Sequence, residues 1–173
     1  AGWTDNGEDD RKFVATQDAD HPFDEVGNFT SYPHNSLRSI QSGWNYPPKT
    51  VVLISPEIVV ENMSSPVLKY YDMRGWNNTW PATKPEHSID IMIREGSAGA
   101  WNVLKQDKAH QDYFQVWRKI DNIDLSDYNG KTVQLGFRTT TQHFYWRIDD
   151  VCIYDAGSVS VRNMEYSKKV SIY

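Results

Sequence analysis

"FYWRIDDVCIYD", Phe144 to Asp155, reads as a buried strand with two acidic residues set into its middle. Aromatic and β-branched residues on either side favour an extended backbone. A lone buried carboxylate would nonetheless cost several kcal/mol at Asp149 or Asp150. Ile148 and Val151 are three positions apart and Val151 and Ile153 two, so strict alternation cannot hold all three on one face. A β-bulge, which sets two residues against one, is therefore predicted at Asp149-Asp150.

The same two-residue period runs outward along the chain. In "TVQLGFR", Val133, Leu135 and Phe137 share one face, while Gln134, Gly136 and Arg138 share the other. "SIDIMIR" groups Ile89, Ile91 and Ile93, "YFQVWRKI" groups Phe114, Val116 and Ile120, and "VLKYYDMR" gives an aromatic-rich strand. "VVLISPEIVV" is broken at Ser55-Pro56 and reads as two strand pieces joined by a bulge or a sheet-switching corner. Turn chemistry falls at Asn129-Gly130, read as a hairpin, at Gly96 with Gly99, at Asn45 to Pro48 and at Ser64 to Pro66. Leu104 to Phe114 reads as one helical turn or a long loop. Strands with one apolar face each predict an all-β fold, two antiparallel sheets packed face to face as a β-sandwich. The sandwich is expected over residues 1–157, with residues 158–173 forming edge strands or the start of a following module.

The 173 residues suit one domain, and 18 Lys and Arg against 23 Asp and Glu give a net charge of −5. No basic block speaks for nucleic acid, and no apolar run is long enough for a membrane-spanning helix. The one cysteine, Cys152, reads as a buried, inert thiol. The sequence begins at Ala1 without an apolar leader, as expected of a segment cut from a longer precursor. Sequons at Asn28, Asn62 and Asn77 add a hint of secretion.

For Asp149 and Asp150, one reading is a strand end in water or pairing with Arg147 or Arg118. The other is a calcium site, since calcium takes six to eight oxygens at about 2.3–2.6 Å. Asp18, Asp20, Asp24 and Glu25, within eight residues of one another, would complete it from the acidic N-terminal region. Their spacing is not that of an EF-hand loop, because Pro22 and Phe23 stand where that loop needs an oxygen ligand and a glycine. Enzyme motifs are missing: no His-Glu-x-x-His, no Gly-x-Ser-x-Gly, and Leu125 stands where "NGKT" would need the first phosphate-loop glycine. Catalysis is not expected. Among the seven tryptophans, Trp76 and Trp80 lie in "RGWNNTWPATKPEHS", read as a polar loop in which Arg74, Asn77 and Asn78 could bind a sugar around a stacking platform. These indoles could equally cover a sheet end, and Trp44 poses the same choice. Trp101, Trp117 and Trp146 are read as structural.

"TQDAD", "LISPEI", "IDLSDYNGKTVQLGFR" and "YWRIDDVCIYD" together resemble the extracellular MAM and bacterial cleaved-adhesin modules, and the accessory modules of immune-inhibitor-A-type secreted metalloproteases. The resemblance spans about Thr16 to Asp155. It implies a galactose-binding-like jelly roll with a structural calcium ion held by the Asp-Asp strand and N-terminal acidic residues. His21-Pro22 departs from the adhesin pattern after Asp20, and the cysteines of animal MAM domains are missing. The expectation is a non-catalytic extracellular or cell-surface adhesion or targeting module that binds a glycan or a cell-surface protein. The alternative is a protein-interaction or spacer domain accessory to a secreted metalloprotease.

Overall fold

The computed structural model describes residues 3–5, 14–16, 39–41, 49–76, 88–108, 117–141, 144–158 and 170–171. These hold strands β1 (Thr4–Asp5), β2 (Val14–Thr16), β3 (Ser39–Gln41), β4 (Lys49–Ile54), β5 (Ile58–Val59) and β6 (Pro66–Trp76). β7 (Ser88–Glu95), β8 (Asn102–Lys108), β9 (Arg118–Asp124), β10 (Thr132–Thr141), β11 (Phe144–Asp155) and β12 (Val170–Ser171) follow. All pairing is antiparallel. The first sheet runs β1-β4-β10-β7-β8 with β5 beside β10, and the second runs β2-β3-β11-β6-β9 with β12 beside β11. The expected two-sheet antiparallel β-sandwich is the fold observed.

The core lies between the sheets, where the period-two pattern sends its apolar residues. Leu135 pairs with Ile93 and Phe137 with Ile91, all four buried, which fixes the register of β10 on β7. A one-residue slip would turn this set into solvent. From the second sheet come Leu68, Tyr70, Trp146, Ile148, Val151 and Ile153. Phe137 meets the Tyr70 ring edge-on at 5.4 Å and the Trp146 ring at 5.9 Å, joining the two central strands across the sandwich.

One polar cluster enters this interior. Asp72 is fully buried and accepts hydrogen bonds from Arg118 Nε and Nη2 at 3.0 Å each and from the Trp146 indole at 3.2 Å. Arg118 on β9 also reaches Asp107 on β8 at 3.8 Å, so the guanidinium ties the edge of one sheet to the edge of the other. Burial opposes the Arg118 charge, but the hydrogen bonds and field of Asp72, with Asp107 behind it, more than offset this and hold its pKa above the usual value.

Two local expectations change and one pair of alternatives is resolved. Ser55-Pro56 is a bulge rather than a sheet-switching corner: β4 and β5 both pair with β10, and residues 55–57 are set against only 134–135. Ser55 carries the ladder across the break, its hydroxyl accepting from Leu135 N–H at 2.8 Å and its own N–H donating to Leu135 O at 2.9 Å. Leu104 to Lys108 belong to edge strand β8 rather than to a helical turn or loop, because hydrogen bonding to β7 overrides a polar sequence. Asn129-Gly130 is a turn but no hairpin. It follows a 3-10 turn over Ser126–Tyr128 and links β9 of one sheet to β10 of the other. Gly130 has a φ of 77°, a conformation glycine adopts at little cost.

Replacing Arg118 with Met should strand the Asp72 carboxylate in the core and lower unfolding stability by roughly 3 kcal/mol or more, measured by urea denaturation. The double variant Asp72→Leu with Arg118→Met should recover much of that loss. Equal losses in the single and double variants would refute this account of the cluster.

Candidate functional site

The predicted bulge is present. Asp149 pairs with Tyr71 and Cys152 with Lys69, leaving Asp150 and Val151 opposite Tyr70. Asp150 has a φ of 52°, a left-handed conformation that Asp tolerates better than most side chains. The slip returns Val151 and Ile153 to the core alongside Trp146 and Ile148, so no apolar residue is lost to the wrong face. Arg147, Asp149 and Cys152 occupy the outer side of the sheet and are nevertheless buried, with relative exposures of 1%, 6% and 3%. Asp149 Oδ1 accepts the Asp150 N–H at 2.8 Å. The structure thus brings Asp149 and Asp150 together on one bulge. Asp18, Asp20, Asp24 and Glu25 lie outside the described residues, among which no group of three or more His, Cys, Asp or Glu side chains gathers.

Of the proposed aromatic loop, Arg74 and Trp76 prove to be the last residues of β6, paired in register with Trp146 and Phe144. The strand is longer than its sequence suggested because β11 continues to pair with it. Asn77, Asn78, Trp80 and Trp44 lie outside the described residues.

A different surface collects binding chemistry. On the outer face of the first sheet, Arg138, Asp90 and Gln106 stand side by side across β10, β7 and β8. Asp90 is only 2% exposed although it faces away from the core, because its neighbours cover and bond it. Arg138 donates to Oδ2 through Nε at 2.7 Å and Nη2 at 2.6 Å, and Gln106 donates to Oδ1 at 3.0 Å.

The next register row is apolar: Ile54, Gly136, Met92 and Val103. The Trp101 ring, just before β8, lies over Gly136. A Cβ at position 136 would stand 2.9 Å from Trp101 Cζ3 and 3.0 Å from Met92 Cε. Trp101 is half-buried, and the neighbouring Val103 is 51% exposed. Beyond it, the Arg94 guanidinium sits 4.5 Å from the Trp101 ring centre and donates to Gln134 Oε1 through Nε at 2.9 Å and Nη2 at 2.6 Å. Gln134 in turn donates to the Ser55 carbonyl at 2.9 Å.

This face therefore presents an indole and aliphatic row between two rows of fixed, planar polar groups. Trp146, read as structural, is fully buried as expected. Trp101, given the same role, packs over Gly136 but does so half-buried on the outer face of the first sheet. The available signal was the small Gly136 between Gln134 and Arg138 on the polar side of "TVQLGFR", but nothing local says which ring fills that gap.

No protein-family model and no curated protein matches the chain. Its fold does match solved structures. A carbohydrate-binding module, TmCBM61, solved with β-1,4-galactotriose, superposes with a TM-score of 0.56 at 11% identity, covering 88% of each chain. A cleaved adhesin domain of Lys-gingipain from Porphyromonas gingivalis gives 0.57 at 15% identity, over 90% of this chain and 91% of that one. A xylan-binding domain of the CBM22 type gives 0.50 at 12% identity, over 91% and 89%. At these identities the likeness is one of fold, and it agrees with the jelly-roll, cleaved-adhesin resemblance of the motifs.

Gly136→Ala should displace Trp101, since the new methyl meets a rigid ring, whereas Met92 offers only the mobile end of its side chain. The expected loss of stability is about 1–3 kcal/mol, together with a near-UV circular dichroism change that disappears in a Trp101→Phe background. An unchanged Trp101 signal would mean that the ring does not rest on Gly136.

Proposed function

We propose that this chain is a non-catalytic carbohydrate-binding module of a secreted or surface protein, with the glycan lying across the outer face of its first sheet. The supporting observation is the half-buried Trp101 ring seated over Gly136 and Met92 and flanked by Arg94–Gln134 on one side and Arg138–Asp90–Gln106 on the other. Sugar rings have apolar C–H faces that stack on an indole and hydroxyl edges that need paired donors and acceptors. Side chains already held by one another keep their orientation, so little ordering entropy is lost on binding. The fold likeness to carbohydrate-binding modules favours this reading over that of a protein-interaction or spacer domain. The likeness to a gingipain adhesin domain keeps the second reading in view. That reading requires a protein partner in pull-downs and no glycan ligand.

The calcium reading continues as a second proposal. Asp149 and Asp150 supply hard oxygen donors of the type calcium prefers, on a bulge that holds the Asp149 carboxylate away from water. Two carboxylates do not complete a calcium shell, and Asp18, Asp20, Asp24 and Glu25 are proposed to add the rest. In this role the ion is structural: it offsets acidic charge against the outer side of the second sheet.

On a polysaccharide panel read by affinity electrophoresis, the wild type should be retarded by at least one class of glycan. Trp101→Ala should weaken that binding about tenfold, or roughly 1.4 kcal/mol. Failure of every glycan would overturn the carbohydrate reading. For calcium, saturating metal at about 100 times its dissociation constant adds roughly 2.7 kcal/mol, so a chelator should lower the Tm by about 5–10 °C. Asp149→Asn should remove most of that difference, and a wild type indifferent to chelator would exclude the ion.

A further inference from the structure

We propose that the glycan taken by this face is an acidic one, a polysaccharide bearing uronate carboxylates, and that Arg94 is the residue that reads the charge. The inference rests on the carbohydrate reading and narrows it to a ligand class.

Two other cations on and around the first sheet have a carboxylate: Arg138 pairs with Asp90, and Lys131 with Glu95 at 2.7 Å. The contacts of Arg94 are a neutral amide oxygen, that of Gln134, and the face of an indole. No carboxylate pairs with it among the described residues. On the outer face of β10, β7 and β8, the described side chains thus carry two guanidiniums, Arg94 and Arg138, against one carboxylate, Asp90. This local excess of positive charge sits on a chain whose net charge is −5.

Geometry makes Arg94 more than a solvated surface charge. Gln134 occupies the Nε and Nη2 edge of the guanidinium, and Trp101 holds its plane. The Gln134 amide is itself fixed by the Ser55 carbonyl. The Nη1 and Nη2 end of the fork is left for a ligand, and two parallel N–H groups on that end match the two oxygens of a carboxylate. A guanidinium is more weakly hydrated than an ammonium, so it gives up water at modest cost when an anion arrives. The anion would lie at the margin of the Trp101 ring, as the C5 carboxylate of a uronate does when its pyranose stacks on an indole.

Neutral chains need none of this. A neutral sugar would gain from Gln134 and Gln106, whereas an unneutralised guanidinium fixed beside the stacking ring adds selectivity only for an anion. Sulfate esters share the charge and can also meet the fork through two oxygens, so they are compared directly with uronates.

The test measures the ratio of affinities for a uronate oligosaccharide and for its carboxyl-reduced counterpart, which has the same linkage without the charge. Oligogalacturonate, oligoalginate and glucuronoxylan oligosaccharides serve as probes, with neutral β-1,4-galactan and heparin oligosaccharides as comparisons, by isothermal titration. For the wild type the ratio should be tenfold or more for at least one uronate and should shrink as ionic strength rises. Arg94→Gln should bring it near one, and Arg94→Lys, which keeps the charge but loses the fork, should fall between. Because each variant is judged by its own ratio, a general loss of stability does not mimic the result. A wild type that prefers the neutral chain, or a ratio unmoved by Arg94→Gln, overturns the acidic reading while the carbohydrate reading stands. Preference for heparin over every uronate overturns the carboxylate assignment. Binding to no glycan of either kind overturns both readings.

Discussion

The contact of Phe137 with Tyr70 and Trp146 is the interaction on which the rest of the molecule depends. It joins β10 to β6 and β11, the inner strands of the two sheets, and in doing so fixes which side of each strand is interior. With Phe137 inside, alternation places Gly136 and Arg138 outside, and with them the seat of Trp101 and the partner of Asp90. The proposed binding face is thus the reverse of the core rather than an addition to it. Polar interactions then refine the arrangement. The Asp72–Arg118–Asp107 cluster ties the edge strands β9 and β8 across the interior, at an end of the sandwich where apolar side chains give way to Thr139 and Asp107.

The bulge in β11 solves a different conflict. The strand must bury Trp146, Ile148, Val151 and Ile153 on one side, and period two allows this only if a residue is set aside between Ile148 and Val151. Asp150 is that residue. Its left-handed backbone would strain a β-branched side chain, so the sequence requirement at this point is conformational before it is chemical. Asp149 is a separate matter. Its carboxylate is buried on the outer side, where it accepts the Asp150 N–H within the bulge. Backbone geometry therefore accounts for Asp150, and the Asp149 carboxylate serves the same bulge by accepting its N–H.

Much of the fold was legible because its determinants are local. The alternation in "TVQLGFR" and "SIDIMIR" and the broken period at Asp149-Asp150 each imply a strand, a face or a bulge without reference to distant residues. What was misread depends on pairing across the chain. Asn129-Gly130 has hairpin chemistry, but turn residues do not report whether the flanking strands meet, and here they belong to different sheets. "LKQDK" has no apolar stripe and becomes a strand because β7 offers it an edge. The site was less legible than the fold for the same reason. Trp101 looked like one more strand aromatic, and its role emerges only when Gly136 and Arg94, from two other strands, are set beside it.

That dependence also bears on how such a face keeps its chemistry. A binding residue on a loop can be exchanged without consequence for packing, whereas Gly136 cannot gain a side chain without moving Trp101, and Gln134 serves both Arg94 and the Ser55 carbonyl at the β4–β5 break. Ser55 in turn carries the ladder to Leu135, whose side chain is in the core. The orientation of the guanidinium is therefore coupled, through two hydrogen-bonded side chains, to the register of the first sheet. A ligand that engages Arg94 meets a group whose geometry was fixed when the strand folded, and that is the condition under which a single surface charge can discriminate between sugars rather than merely attract them.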